Sequence, residues 1–391
     1  MSDQKDNSSS LVSRRTAIRG VAVSTIGVAG LASYTGYSRA ETTEIPDVDP
    51  RNKIEITVAD YGDQGVRTEE VPVEWYNRYS GLTTLKKEVR KSVQSQEAFT
   101  GIGIGTSDRT IGGYRVPHIT VLETTSGAVD IPDKIDGIKV ESRRIGTPSF
   151  NTCTSCFEQP PGGMAVETGD GNGNQVGAGT TGWKINDGSD YMLTAAHIFD
   201  CSGTDDITGY VAASTGTLNR FGEVVDYDHS EDWALLTKYN LDIGCPSGGS
   251  NEFFDAAVRN EGGPANGNMT EDGLRTMKDD GTPNRNRGRN TCEDSGLIDM
   301  INTSLSGIQC PNSDATRSLD NLVMTKNTNT GGGDSGSFWY NHSYNSGGYC
   351  YDNLATHIHS GSTGTGESFG VAADLLREQY NFNYNPDGLR C

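Results

Sequence analysis

Gly331-Gly332-Gly333-Asp334-Ser335-Gly336-Ser337 is the stretch on which the reading of this chain turns. Glycines on both sides of a serine permit a tight turn that uses positive φ, with the hydroxyl of Ser335 at its apex. Such a turn can also aim the backbone N–H groups of Gly333 and Ser335 at a single point. A flexible linker would have the same composition. Here, however, the segment runs directly into Phe338-Trp339-Tyr340, an aromatic strand signal.

Two upstream segments complete the pattern. Leu193-Thr194-Ala195-Ala196-His197 ends the strand-like Tyr191–Thr194 with two small residues that let the chain turn and project His197. Asp232-Trp233-Ala234-Leu235-Leu236 puts a carboxylate at the mouth of an apolar strand. A carboxylate buried there requires a donor to offset its desolvation, and a histidine ring N–H is a suitable one. Asp226 and Asp228 lie close by, but neither leads into an apolar strand.

The order histidine, aspartate, serine differs from the subtilisin and α/β-hydrolase orders. Over residues 150–380 the sequence resembles the chymotrypsin-like serine proteases of the trypsin superfamily, in their compact microbial form. Thr194-Ala195-Ala196-His197 matches the family's histidine motif, Asp232–Leu236 its aspartate strand, and Gly333-Asp334-Ser335-Gly336 its nucleophile loop. The resemblance implies two six-stranded β-barrels with His197 and Asp232 from the first and Ser335 from the second. It also implies peptide-bond hydrolysis by a Ser335–His197–Asp232 triad, an oxyanion hole formed by the N–H groups of Gly333 and Ser335, and no cofactor.

The match is incomplete. No Ile-Val-Gly-Gly segment is present to pair with Asp334, so that carboxylate needs backbone donors or an arginine. Ser337 stands where a second glycine is usual. Asn329, six residues before Ser335, replaces the aspartate of lysine- and arginine-specific relatives. In His357-Ile358-His359-Ser360-Gly361, which resembles the strand lining the primary pocket, His359 occupies the position of a carboxylate-binding histidine in glutamate-specific relatives. His359, Ser360 and Gly361 are therefore the expected substrate-binding residues, with a preference for an acidic residue before the cut.

The rest of the sequence sets the context. The 391 residues carry 52 acidic and 32 basic side chains, a net charge of -20, which disfavours nucleic acid and anionic membranes as partners and suits a salty habitat, while the resemblance implies polypeptide substrates. Ser13-Arg14-Arg15 leads into a short apolar run ending at Ala32, and Ser38-Arg39-Ala40 follows. Residues 1–40 thus resemble a twin-arginine export signal, the apolar run being too short to span about 30 Å of hydrocarbon. Export makes the eight cysteines candidates for disulfides, with the pairing left open. Cys153 and Cys156 form half of a zinc site with no second half, so no metal is expected.

Residues 41–146 read as a small α+β domain. Glu41–Pro50 is a linker, and strands are expected at 52–59, 99–105, 117–123 and 138–143. A helix is expected over 82–97, on the spacing of Leu82, Leu85, Val89 and Val93. Its basic residues Lys86, Lys87, Arg90 and Lys91 suggest a propeptide docked on an acidic protease domain, with processing between residues 140 and 160. Residues 147–391 read as the mainly β protease domain, a monomer without an integral membrane segment. Gly244–Asn290 reads as long surface loops, and Ala372–Tyr380 as a closing helix. An alternative is a catalytically silent, protease-like binding protein at the cell surface. Sequons at Asn268, Asn302 and Asn341 suggest glycan sites on a surface protein.

Overall fold

The computed structural model describes residues 52–135, 138–146, 149–150, 161–162, 165–170, 175–186, 189–201, 209–213, 219–238, 255–258, 265–288, 294–310, 314–331, 334–345 and 350–384. The expected export signal, the linker, the Asp136-Gly137 turn, Gly333 and the Cys153–Cys156 pair lie outside them.

The order of elements begins with β1 (Lys53–Asp60), β2 (Val66–Pro72), α1 (Val73–Val93), β3 (Phe99–Ile111), β4 (Tyr114–Glu123), β5 (Lys134–Ile135) and β6 (Ile138–Arg144). Short strands β7 (Ser149–Phe150) and β8 (Pro161–Gly162) lead to β9 (Ala165–Asp170), β10 (Gln175–Thr180), β11 (Lys184–Asn186) and β12 (Asp190–Thr194). Then come β13 (Gly209–Ala213), β14 (Asn219–Asp228) and β15 (Trp233–Lys238). The remainder is β16 (Asp255–Val258), β17 (Ala265–Met269), α2 (Glu271–Asp280), β18 (Pro283–Asn286), β19 (Asp294–Gln309), β20 (Thr316–Lys326), β21 (Phe338–Asn345), β22 (Cys350–Ser362), β23 (Glu367–Ala372) and α3 (Ala373–Tyr380).

Strand pairing closes two rings. In the first the order is β10-β9-β13-β14-β15-β12-β11. β10 and β11 belong to one bent stretch of chain: Gly182 N–H donates to Leu193 O at 2.7 Å and Leu193 N–H to Trp183 O at 3.0 Å, carrying the ladder across the bend. Counted as one strand, that stretch joins both ends of the order into a six-stranded barrel. In the second, β22-β21-β18-β19 continues through β20 and β23 back to β22, again six strands. The mainly β, double-barrel architecture expected from the sequence is therefore present. Apolar side chains of both barrels merge in one core, where Trp183 stacks on Phe338 at 5.2 Å and Tyr384 meets Phe338 edge-on at 5.7 Å.

The N-terminal strands do not form a separate body. β1 pairs with β17 (Ala59 opposite Met269) and β3 with β19 (Ile104 opposite Ile301), so β1–β6 extend the sheet of the second barrel on both sides. Residues 44–391 form one compact unit. The physical reason is a shared core: Trp75, Tyr79, Leu82 and Val89 of α1 pack with Met269, Leu274, Ile298 and Val323. Arg90 pairs with Asp320 at 2.6 Å and Lys86 donates to the carbonyl of Asn302, whereas Lys87 and Lys91 face solvent.

Two expectations about elements need correction. The first helix begins at Val73, nine residues before the expected start, and ends at Val93. Pro72 precedes it in extended backbone, and Trp75 and Tyr79 prolong the same buried stripe. The expected loops at Gly244–Asn290 contain β17, α2 and β18. α2 is capped by the Thr270 hydroxyl, which accepts from Gly273 N–H at 3.1 Å, and by Gly281 at φ +66°.

Candidate active site

His197 sits in a single 3-10 turn, Ala196–Ile198, directly after β12. Ala195 and Ala196 are fully buried, so only small side chains fit there. The turn brings both the backbone and the ring of His197 onto one carboxylate. His197 N–H donates to Asp232 Oδ1 at 2.9 Å, and ring Nδ1 lies 3.0 Å from Oδ1 and 2.9 Å from Oδ2. An ionised carboxylate only accepts, so Nδ1 carries the proton and Nε2 is the basic nitrogen.

Asp232 closes the turn between β14 and β15 at φ +52°, a conformation that aspartate tolerates better than most residues. The residue is fully buried. Burial pushes its carboxyl up, but the His197 ring, Arg317 and the Ser360 side chain more than reverse this and hold it below the usual range. The two competing aspartates are engaged elsewhere. Asp226 accepts from Tyr227 N–H at 2.9 Å, and Asp228 accepts from Ser230 N–H at 2.7 Å and the Tyr380 hydroxyl at 3.0 Å.

Ser335 is contributed by the second barrel, ahead of β21, and is stapled to both barrels. Thr180 N–H of the first donates to Ser335 O at 2.7 Å, while Gly336 N–H donates to His359 O at 2.8 Å. The Ser335 hydroxyl donates to Ser360 O at 3.3 Å. Gly336 is at φ +90°, and a Cβ there would lie 2.2 Å from Thr194 Oγ1 and 2.3 Å from Thr180 O. Asp334 accepts from Gly331 N–H at 3.0 Å, a backbone donor of the expected kind. Ser337 is buried and accepts from Asn286 Nδ2 at 2.7 Å, which accounts for a hydroxyl where a glycine was expected.

His359 is fully buried on β22, and its pKa is pushed down to about 3, by burial first and then by His197. Its Nδ1 accepts from Trp339 Nε1 at 3.3 Å. Gly361 lies opposite Phe150 on one side of β22 and Phe369 on the other. Motif reading missed Trp339: it is four residues past Ser335, but only the strand register aims it at His359. It also missed the Cys201–Cys310 disulfide, which fastens the chain four residues after His197 to the loop between β19 and β20. The sequons do not offer sites on the folded surface at Asn268 and Asn341, which are buried, and Asn302 is half-buried. Among the described residues no helix is long and apolar enough to cross a membrane.

No protein-family model matches the chain. No curated protein matches it either. Among solved structures, similar chains include a glutamic acid specific serine protease described as using a histidine triad in substrate binding (19% identity, TM-score 0.37, 57% of this chain and 98% of that one). Others are a chymotrypsin of Cellulomonas bogoriensis (18% identity, TM-score 0.37, 57% and 97%) and Protease A of Thermobifida fusca (18%, TM-score 0.36, 57% and 97%). The double-barrel architecture itself is read from the strand pairing above.

Proposed function

We propose that this chain is an exported serine endopeptidase that cuts after acidic residues. The observation that carries this reading is the bond from His197 Nδ1 to a fully buried Asp232, which leaves Nε2 as the base proposed for the Ser335 hydroxyl. In the reaction, Ser335 Oγ attacks the scissile carbonyl and its proton passes to His197 Nε2. The N–H groups of Gly333 and Ser335 hold the oxyanion, each donor lowering the barrier by about 2.7–4 kcal/mol. His197 returns the proton to the leaving amine. Water, deprotonated by His197, then splits the acyl-enzyme, and the acid product leaves with the hydroxyl of Ser335 restored. Asp232 keeps the imidazole in the Nδ1–H tautomer and offsets its charge.

The N-terminal segment is the covalent propeptide of this reading. Ser149 and Phe150 run antiparallel to Ser362 and Gly361, the two residues after Ser360, and Gly146 N–H donates to Thr365 Oγ1 at 3.3 Å. The chain thus lays its own backbone, within the proposed processing window, on the strand that would receive a peptide substrate.

A panel of peptides differing only in the residue before the cut tests the proposal. Wild type is expected to cleave peptides with Glu or Asp there, and Ser335→Ala to lose nearly all turnover while keeping its circular dichroism spectrum. Undiminished cleavage by Ser335→Ala overturns the catalytic assignment. Equal cleavage after all residues overturns the acidic preference.

A further inference from the structure

We propose that Trp339 is the positioning residue of the specificity pocket: its indole N–H holds His359 as the Nε2–H tautomer, so an acidic substrate side chain meets a neutral imidazole donor. This rests on the acidic-substrate reading for its use, but not for the tautomer itself.

The argument starts from donor chemistry. An indole nitrogen can only donate. Trp339 Nε1 lies 3.3 Å from His359 Nδ1, so Nδ1 must offer its lone pair, and the proton of the neutral ring resides on Nε2. The indole has little freedom to withdraw. It is fully buried and stacks on His357 at 5.6 Å with an interplanar angle of 11°, and Trp339 pairs with His357 across β21 and β22. The imidazole backbone is fixed as well: His359 N–H donates to Ser337 O and His359 O accepts from Gly336 N–H, both at 2.8 Å.

Burial and the neighbouring His197 act in the same direction, against Asp232. His197 faces it from the turn after β12, Asp232 from the start of β15, and His357 from its own strand. Burial, then His197, pushes the pKa of His359 down to about 3 against the opposing pull of Asp232. A proton added at Nδ1 would also set two N–H groups against each other. His359 therefore stays neutral over the pH range in which a peptidase is assayed, and it recognises an acid by hydrogen bonding and not by ion pairing.

The test is ¹⁵N NMR of the His359 ring in full-length Ser335→Ala protein, assigned by comparison with the same protein carrying His359→Gln. One Nε2–H signal, unchanged between pH 8 and pH 4, is expected. Trp339→Phe keeps a ring against His357 but removes the donor. There the signal is expected to split between the Nδ1–H and Nε2–H tautomers. With Ser335 restored, Trp339→Phe is expected to raise KM for an acidic peptide about tenfold, the loss falling mainly in KM. A wild-type ring protonated on Nδ1, or titrating between pH 4 and pH 7, overturns the proposal without any variant. So does a Trp339→Phe ring with an unaltered tautomer. If acidic peptides are not preferred while the Nε2–H signal stands, the substrate reading has failed and the tautomer lock has not.

Discussion

At the scale of single residues, the site depends on positions where only one type of side chain fits. Gly336 is the clearest case, because positive φ and contacts of 2.2 Å and 2.3 Å both forbid a Cβ. Gly336→Ala is expected to cost more than about 1–3 kcal/mol, the usual range for backbone strain alone, since the added methyl also collides with Thr194 and Thr180. Chemical denaturation checks the stability, and kcat is expected to fall with it as Ser335 is displaced. A variant with wild-type stability and turnover would contradict the geometry of this turn. The residues of this site were legible in the sequence where their signal was local: a small residue beside a histidine, an aspartate opening an apolar strand, glycines around a serine. Trp339 was not legible as a partner of His359, because that contact is made across two strands. The same limit applies to the sequons, since three residues of pattern carry no information about burial.

At the scale of elements, strands with apolar alternation were foreseen and α2 was not. Its buried face is interrupted by charge: Arg275, Lys278 and Asp279 are buried beside Leu274 and Met277, and the flanking Gly- and Asn-rich chain reads as loop. Arg275 and Lys278 lie over the Tyr79 ring at 4.8 Å and 5.3 Å, contacts available only once α1 is in place. The Cys201–Cys310 bridge acts at this scale too, closing a separation of 109 residues between the segment after His197 and the second barrel. Replacing both cysteines with serine is expected to cost about 2–5 kcal/mol, read as a lower Tm by calorimetry. Turnover is expected to fall at temperatures below that Tm, because the bridge joins the two barrels that supply the site. An unchanged Tm would mean that the bridge does not form or does not matter.

At the scale of the whole molecule, the boundary near residue 146 was legible as a change of composition but not as a boundary in space. Sheet and core both run across it. Asp279 of α2 lies on this seam, near Tyr79 and Arg115 of the N-terminal segment, and neither of its carboxyl oxygens has a hydrogen-bond partner among the described residues. Burial raises its pKa from 3.8 to about 7. A carboxyl with a raised folded-state pKa favours the folded state most at low pH, and its contribution is lost as pH climbs from about 4 to about 7. Asp279→Asn is therefore expected to stabilise the molecule more at pH 8 than at pH 5, as measured by Tm against pH. A shift of equal size at both pH values would contradict the assignment. The proposed function requires one arrangement, in which the two barrels bring the Ser335 hydroxyl to the His197–Asp232 pair. The most direct test is a fluorophosphonate probe followed by peptide mapping of the full-length protein. The account predicts a single adduct on Ser335, absent from Ser335→Ala and strongly slowed in Asp232→Asn. An unlabelled wild type, or an adduct on another residue that persists in Ser335→Ala, would contradict it.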